Sequence, residues 1–376
     1  MSALPPNATI GIVGGGQLGR MSALAAARLG YRCHILSPEQ DCPAALVSAR
    51  HTLADYEDSN ALRRFAGAVD VITFEFENVS AAGLELLASL VPVRPGPTVL
   101  RISQDRVAEK SFVNGLGIPT APWRQVETPE ELEQAVAALG LPAILKTTRL
   151  GYDGKGQAML RSAEDYRAFS TLEPKPLILE GFVDFACEIS VIVARNPQGE
   201  VTCFDPVENR HRHHILDLTL APAPIAPETA ATAVAIARAI AAGLDLVGLL
   251  AVEMFVTADN RVVVNEIAPR PHNSGHWTID ACPASQFEMH IRAVAGLPLP
   301  PARRHADAVM KNLVGPDEIS QWPEILRTEG LIAHHYGKTE ARPGRKMGHV
   351  TRLFPLGALP GPFGIADALG PVAPQA

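Results

Sequence analysis

The chain has 376 residues, 47% of them hydrophobic and 19% charged, with a formal net charge of −7. That composition reads as a soluble globular protein of two or three domains, and it argues against a general nucleic-acid binder, which carries a basic face. Five cysteines, at 33, 42, 187, 203 and 282, form no CxxC and no metal-ligand spacing, which fits a reduced, cytoplasmic compartment.

The opening MSALPPNATIGIVGGGQLGR lacks the basic region and apolar length of a signal peptide, and Arg238 and Asp245 interrupt the Ala-rich run near 230–250. Neither a leader nor a membrane span is expected. Residues 9–13 read as a strand, 17–29 as a helix, 31–36 as a second strand and 69–76 as another, the alternation of a parallel α/β unit. Gly14 to Gly19 fits GxGxxG between strand and helix. An NAD site also wants an acid at the end of the second strand, where this chain has Ser37-Pro38. The glycine turn is left as either a structural turn or an anion-friendly small-substrate site.

Pro92, Pro95 and Pro97 mark a first boundary, and a helix follows near 104–116. LPAILKTT, with Lys146, precedes the loop Arg149-Leu-Gly-Tyr-Asp-Gly-Lys-Gly-Gln157 and the short run QAMLR. This alternates like a hairpin with a long mobile tip. Gly151, Gly154 and Gly156 around Arg149 and Lys155 suit a lid whose amides and cations fold over polyphosphate, while Gly156 after Lys155 excludes a Walker A loop. In LILEGFV, Glu180 stands at a strand exit able to offer backbone groups and a carboxylate to an adenine amino group, with Glu188 a candidate for ribose hydroxyls.

A helix expected at 228–242 leads into two β-like runs, LLAVEMFV and RVVVNEIA. A two-residue turn at Asp259-Asn260 places Glu253 directly opposite Glu266. Facing carboxylates repel unless a proton or cation lies between them, and oxygen ligands favour magnesium with a nucleotide. Strict alternation points Asn265 away from the Glu266 face, so a bulge or a strand end is needed for both to serve the metal. Asn265 to His276 gathers Glu266, Arg270, His272, Asn273 and His276 into a wall for an oxyanion. GLPLPPARR at 296–304 marks the last boundary. Beyond it Lys338, Arg342, Arg345 and Lys346 crowd a Gly-Pro loop suited to a phosphate monoester.

Together GGGQLGRM, TFEFENV, SQDR, GYDGKGQ, EGFV, NEIAPRPHNSGHWT and YGKTEARPGRKMGH resemble the ATP-grasp enzymes, and within them the N5-carboxyaminoimidazole ribonucleotide synthetases, ATP-dependent carboxylases of purine biosynthesis. The resemblance spans nearly the whole chain. It implies an α/β ATP-grasp fold: a parallel pre-ATP-grasp domain over 1–98, an ATP-grasp domain over 99–299 with a mobile lid at about 120–183, and a small β-rich C-terminal domain over 300–376. ATP would contact Arg106, Lys146, the lid residues Gly151, Tyr152, Asp153, Gly154, Lys155, Gly156 and Gln157, then Glu180, Gly181, Phe182, Val183, Glu188, His211 and Asn265. Magnesium would use Glu253 and Glu266.

The resemblance also implies aminoimidazole ribonucleotide contacts from Tyr152, Lys155, Arg270, His272 and Asn273, with Lys338, Arg345 and Lys346 at the phosphate and either Glu75 or Glu77 at the imidazole. Bicarbonate and ATP would be the other substrates, the enzyme a cytoplasmic homodimer without NAD, biotin, nucleic acid or membrane partners. Carboxyphosphate would form first, Arg270, His272 and Asn273 would frame the oxyanion, and Asp153, from its position alone, would take or orient the amine proton. Where the chain departs from the pattern, in the HRHH run, His211 is the expected ligand and His213 and His214 only decorate the loop. A NAD-dependent oxidoreductase or a non-catalytic nucleotide-binding regulator would leave the glutamate pair or the cation cluster without a use.

Overall fold

A computed structural model describes residues 3–151 and 154–373. The N-terminal unit is a parallel sheet of β1 (Thr9–Val13), β2 (Arg32–Ser37), β3 (Arg50–Leu53) and β4 (Val71–Phe74), in the order β3-β2-β1-β4. Its inner residues Ile10, Ile12, Ile35 and Val71 pack against Ile291 and Val294 of a distant helix, Gln286–Ala295. Burying each such side chain contributes roughly 1.5–3 kcal/mol. Two polar contacts fix the same junction: Thr73 meets His290 at 2.9 Å, and Arg94 donates to the Val294 carbonyl at 2.6 Å. β3 was not expected from sequence; its RHTL run lies at the sheet edge, with Arg50 and Leu53 exposed and the two residues between them half-buried.

The second sheet is antiparallel, with β5 (Trp123–Val126), β6 (Ala143–Thr147), β7 (Gln157–Leu160) and β8 (Leu177–Gly181) in the order β5-β8-β6-β7. Helix Pro129–Leu139, started by a Thr128/Glu131 capping box, covers it with Leu132 and Val136 against Leu145 and Leu179. β6 and β7 form the expected hairpin, pairing Lys146 with Gln157, and the Gly-rich loop is its tip.

The third sheet carries β9 (Cys187–Arg195), β10 (Val201–Cys203), β11 (Val207–Arg212), β12 (Ile215–Ala221), β13 (Gly248–Val256), β14 (Val262–Ala268), β15 (Asp307–Val314), β16 (Leu331–His335) and β17 (Lys346–Phe354). Its order is β14-β13-β9-β11-β12-β15-β17-β16, with β10 beside β9. The C-terminal strands therefore extend the ATP-grasp sheet, since β12 bonds directly to β15 through Leu218 to Ala221 and Ala308 to Lys311. Helix Pro227–Gly243 buries Ala233, Ala237 and Ile240 on the β9 and β13 face. Among the described residues, no helix is long and apolar enough to cross a membrane.

Candidate active site

The expected opposition of Glu253 and Glu266 is present, but not through the expected turn. The amide of Thr257 donates to the Arg261 carbonyl, so three residues, Ala258 to Asn260, make the loop, and Asn260 takes a left-handed φ of 63°. Asparagine tolerates that conformation, and a three-residue loop of this kind shifts the register by one. A bulge at Asn265 shifts it back, because Met254 pairs with Val264 while Glu253 pairs with Glu266. Two consecutive residues, Asn265 and Glu266, thereby leave the buried alternation together.

Each glutamate has its own side-chain partner. His272 Nε2 lies 2.8 Å from Glu253, and Arg106 donates to Glu266 at 3.2 Å. Burial would raise the Glu253 pKa, but His272, with His211 and Arg270, overrides it and brings the carboxyl to about 2. Glu109, unforeseen in sequence, lies behind the pair and accepts from the Ile267 amide at 2.5 Å. Burial and the Glu266 charge push its carboxyl up to about 8.

On the lid side, Lys146 of β6 donates to Glu180 at 2.9 Å and Lys110 approaches the same carboxylate at 3.3 Å. The Glu180 carboxylate is thus engaged by two buried lysines, and despite burial their charges lower its pKa to about 2. Lys110 was also missed, although Arg106 and Lys110 are one helical turn apart in Arg106–Gly115. Asp105 caps that helix, and Arg106 spans from Glu266 to the Gly151 carbonyl at 3.5 Å. Glu188 and His211 meet at 2.7 Å, beside a second bulge between Arg210 and His211. Phe182 is exposed after β8 and Lys155 is exposed in the lid; Tyr152 and Asp153 lie outside the described residues.

The opposite wall is built on Gln286. Its side chain accepts from the His272 amide at 2.8 Å and donates to the His272 carbonyl at 2.6 Å, holding Arg270 to His276 in shape. Arg270 pairs with Glu77, and no partner among the described residues reaches either polar atom of the Asn273 carboxamide. Glu75 instead accepts from the amides of Gly16 at 2.7 Å and Gly19 at 3.1 Å. The glycine turn is therefore filled from within the chain: an added methyl at Gly16 would lie 2.6 Å from Glu75 Oε1.

Lys338 donates to the Lys346 carbonyl at 2.7 Å, and Arg345 to the Glu340 carbonyl at 2.9 Å, so both point along one loop whose end enters β17 at Lys346. Arg20, from the helix after the glycine turn, reaches the same loop at Gly337 and had no signal beyond its motif. Behind the loop, Asp280, His334 and His349 bring ligand-type atoms within 4.8 Å of one another. The rings of His334 and His349 stack at 15°, so their in-plane lone pairs do not converge, and His334 is already bonded to Asp280 at 2.9 Å. This cluster braces Tyr336, whose hydroxyl meets His349 Nδ1 at 3.0 Å.

A carboxylate pair, two buried lysines under a glycine loop, and a second cationic loop beyond an amide-bearing wall are the groups that a polyphosphate beside a phosphorylated small molecule would require. Comparison with known proteins agrees. A ribonucleotide synthetase preATP-grasp domain matches residues 7–104, an ATP-grasp domain 111–287, and a phosphoribosylaminoimidazole carboxylase C-terminal domain 308–355. The N5-carboxyaminoimidazole ribonucleotide synthase of Brucella melitensis biotype 1 is 52% identical over 357 residues, 94% of this chain and 98% of that protein. The Bacillus subtilis protein of the same name is 45% identical, with 92% and 91% covered. An ADP complex of an N5-carboxyaminoimidazole ribonucleotide synthetase matches with a TM-score of 0.91 and 44% identity over 94% of each chain. The Aspergillus clavatus synthase solved with ADP and 5-aminoimidazole ribonucleotide matches at 0.90 and 33% identity over 97% of each.

Proposed function

The chain belongs to the N5-carboxyaminoimidazole ribonucleotide synthase family of ATP-grasp enzymes, and from that premise we propose how its residues divide the reaction. It is an ATP-dependent carbon–nitrogen ligase of purine biosynthesis that carboxylates 5-aminoimidazole ribonucleotide and releases ADP and phosphate. Bicarbonate is the one-carbon source in this reading, and its attack on the γ-phosphorus gives carboxyphosphate. NAD and biotin have no part in it, and the working form is a cytoplasmic homodimer.

Lys146 and the amides of Gly151, Gly154 and Gly156, with Lys155 and Gln157, bind the phosphates, and Lys110 and Arg106 add charge from below. Because Glu180 is already paired with Lys110 and Lys146, adenine recognition falls to the backbone of Gly181, Phe182 and Val183, with Glu188 and His211 at the ribose. Glu253 and Glu266 would hold magnesium, and the fit is supported by the ionised Glu253 and by the bulge that turns Asn265 and Glu266 out together. When bound, the ion neutralises charge gathering on the transferred phosphoryl group.

Arg270, His272 and Asn273 frame the carboxyl donor, both polar atoms of the Asn273 amide being without a hydrogen-bond partner among the described residues. Glu75, held on the Gly16 and Gly19 amides, faces the aminoimidazole, and Glu77 orients Arg270. Lys338, Arg345 and Lys346 take the 5′-phosphate. Breakdown of carboxyphosphate gives CO2 and phosphate; the exocyclic amine attacks CO2 and its proton passes to Asp153. Lid closure keeps water from the intermediate.

The Glu253–Glu266 opposition, with Lys146 on one flank and Asn273 on the other, carries this reading. Its test is phosphate release from ATP with magnesium and 13C-bicarbonate, with and without aminoimidazole ribonucleotide, followed by NMR for labelled carbamate. Labelled product is expected only with the ribonucleotide; phosphate release without carbamate would overturn the assignment of bicarbonate.

A further inference from the structure

The His213-His214 turn has no part in the roles above. These two residues alone join β11 to β12, since Arg212 pairs directly with Ile215, and their φ values of 51° and 64° are both left-handed. Such a turn ordinarily takes Asn-Gly, and two histidines carry a steric cost there that the surroundings must sustain. The hairpin beneath is braced on every side. His211 is paired with Glu188, Arg212 donates to Glu318 at 2.7 Å, Asn312 donates to the Leu216 carbonyl at 2.8 Å, and buried Lys311 joins Asp217 at 2.8 Å.

The tip packs against one functional loop and faces a second across a cavity. On one side Gly154 of the lid packs closely against the His214 side chain: an added methyl at Gly154 would stand 2.6 Å from the ring's Cγ. On the other side, an added methyl at Gly344 would stand 3.5 Å from Ile215, and a cavity of about 290 Å³ separates His213 and Ile215 from Pro343 and Gly344 of the cationic loop. The loop is tied to β15 as well, because the Gly315 amide donates to the Arg345 carbonyl at 2.9 Å.

Resting on the function given above, we propose that His214 is a positioning residue, the seat on which the nucleotide lid closes. His214 touches no reacting atom in this account. It supplies a flat surface at fixed height, so the lid reaches its closed position only when Gly154 meets the ring.

His214→Gly tests this cleanly, because glycine accepts the left-handed φ and removes only the ring. Thermal stability should be retained. The KM for ATP should rise about three- to tenfold, as for loss of one ring contact, and phosphate released per carbamate should exceed one because the lid leaks. His214→Asn, which tolerates the same φ and keeps a flat side chain, should restore part of the coupling. Gly154→Ala should be severely impaired, and adding His214→Gly to it should recover part of the loss. Unchanged KM and coupling in His214→Gly, or strict additivity in the pair, would overturn the proposal. Absence of carbamate with the unaltered enzyme would instead overturn the function on which it rests.

Discussion

Glu75, at the end of β4, caps the helix that begins after Gly16, 59 residues earlier, through the Gly16 and Gly19 amides. Those amides belong to the first turn, where the helix leaves its donors unpaired and favours negative charge. Burial raises the Glu75 pKa, and the two amides, Arg270 and Lys338 oppose it. Glu75→Gln turns one acceptor into a donor facing an N–H, and about 1–3 kcal/mol of stability should be lost. Urea denaturation at pH 7 measures this. An unchanged midpoint would show that the carboxyl is held protonated and that one acceptor suffices.

Glu180→Gln should unmask two buried lysines. Removing the carboxylate that bridges Lys110 and Lys146 leaves like charges facing each other, at a cost of about 3–5 kcal/mol. ATP brings negative phosphates to the same lysines, so saturating nucleotide should raise the melting temperature more in this variant than in the parent. Equal shifts in the two proteins would remove Lys110 and Lys146 from the phosphate site.

Burial, then the nearby Arg345 charge, brings Lys338 down to about 8. A cation is wanted for the substrate phosphate, so affinity should be full below pH 8 and fall as pH rises through that value. The KM for aminoimidazole ribonucleotide should therefore climb by up to about tenfold per pH unit above 8. Lys338→Arg should flatten the climb, because guanidinium keeps its proton. A KM that is flat to pH 9.5 in the parent would refute the role.

Glu253 has the opposite sign. Its pKa is depressed to about 2, so the stability it contributes is present above the ordinary carboxylate range and is lost as pH falls from about 4.5 toward 2. Between pH 5 and 8 magnesium affinity should not titrate through this residue. Glu253→Gln and Glu266→Gln should each lower kcat by about 10²–10³-fold, comparable to losing a main charge-stabilising group. In both variants magnesium should no longer enhance nucleotide binding by calorimetry; enhancement retained in either would free that residue from the metal.

Much of the site was legible in sequence because its motifs are local. The strand carrying Lys146, the glycine loop and the run from Asn265 to His276 each announce themselves within a dozen residues. The Glu253–Glu266 pairing was read correctly through an incorrect turn: a longer loop and a bulge each move the register by one, and alternation alone cannot see two compensating shifts. Glu109 and Lys110 were hidden because adjacent opposite charges in a helix resemble a solvated face, and only tertiary packing buries both. The Glu75 cap and the Gln286 clamp join segments distant in sequence, and no local pattern encodes them. β3 escaped because a polar edge strand needs no apolar alternation.

The hydrogen bonds from β12 to β15 have a practical meaning for anyone recombining ATP-grasp proteins. A cut near residue 300 looks permissible from the proline-rich stretch there, yet it would strip β12 of its β15 neighbour and leave Leu218 to Ala221 as an open, apolar edge. The smallest transplantable cassette that brings the ribonucleotide-phosphate loop is therefore β15 to β17 together with the β11–β12 hairpin. A chimera that keeps one donor's hairpin and takes another's tail should misassemble, unless the side chains of β12 are exchanged with it.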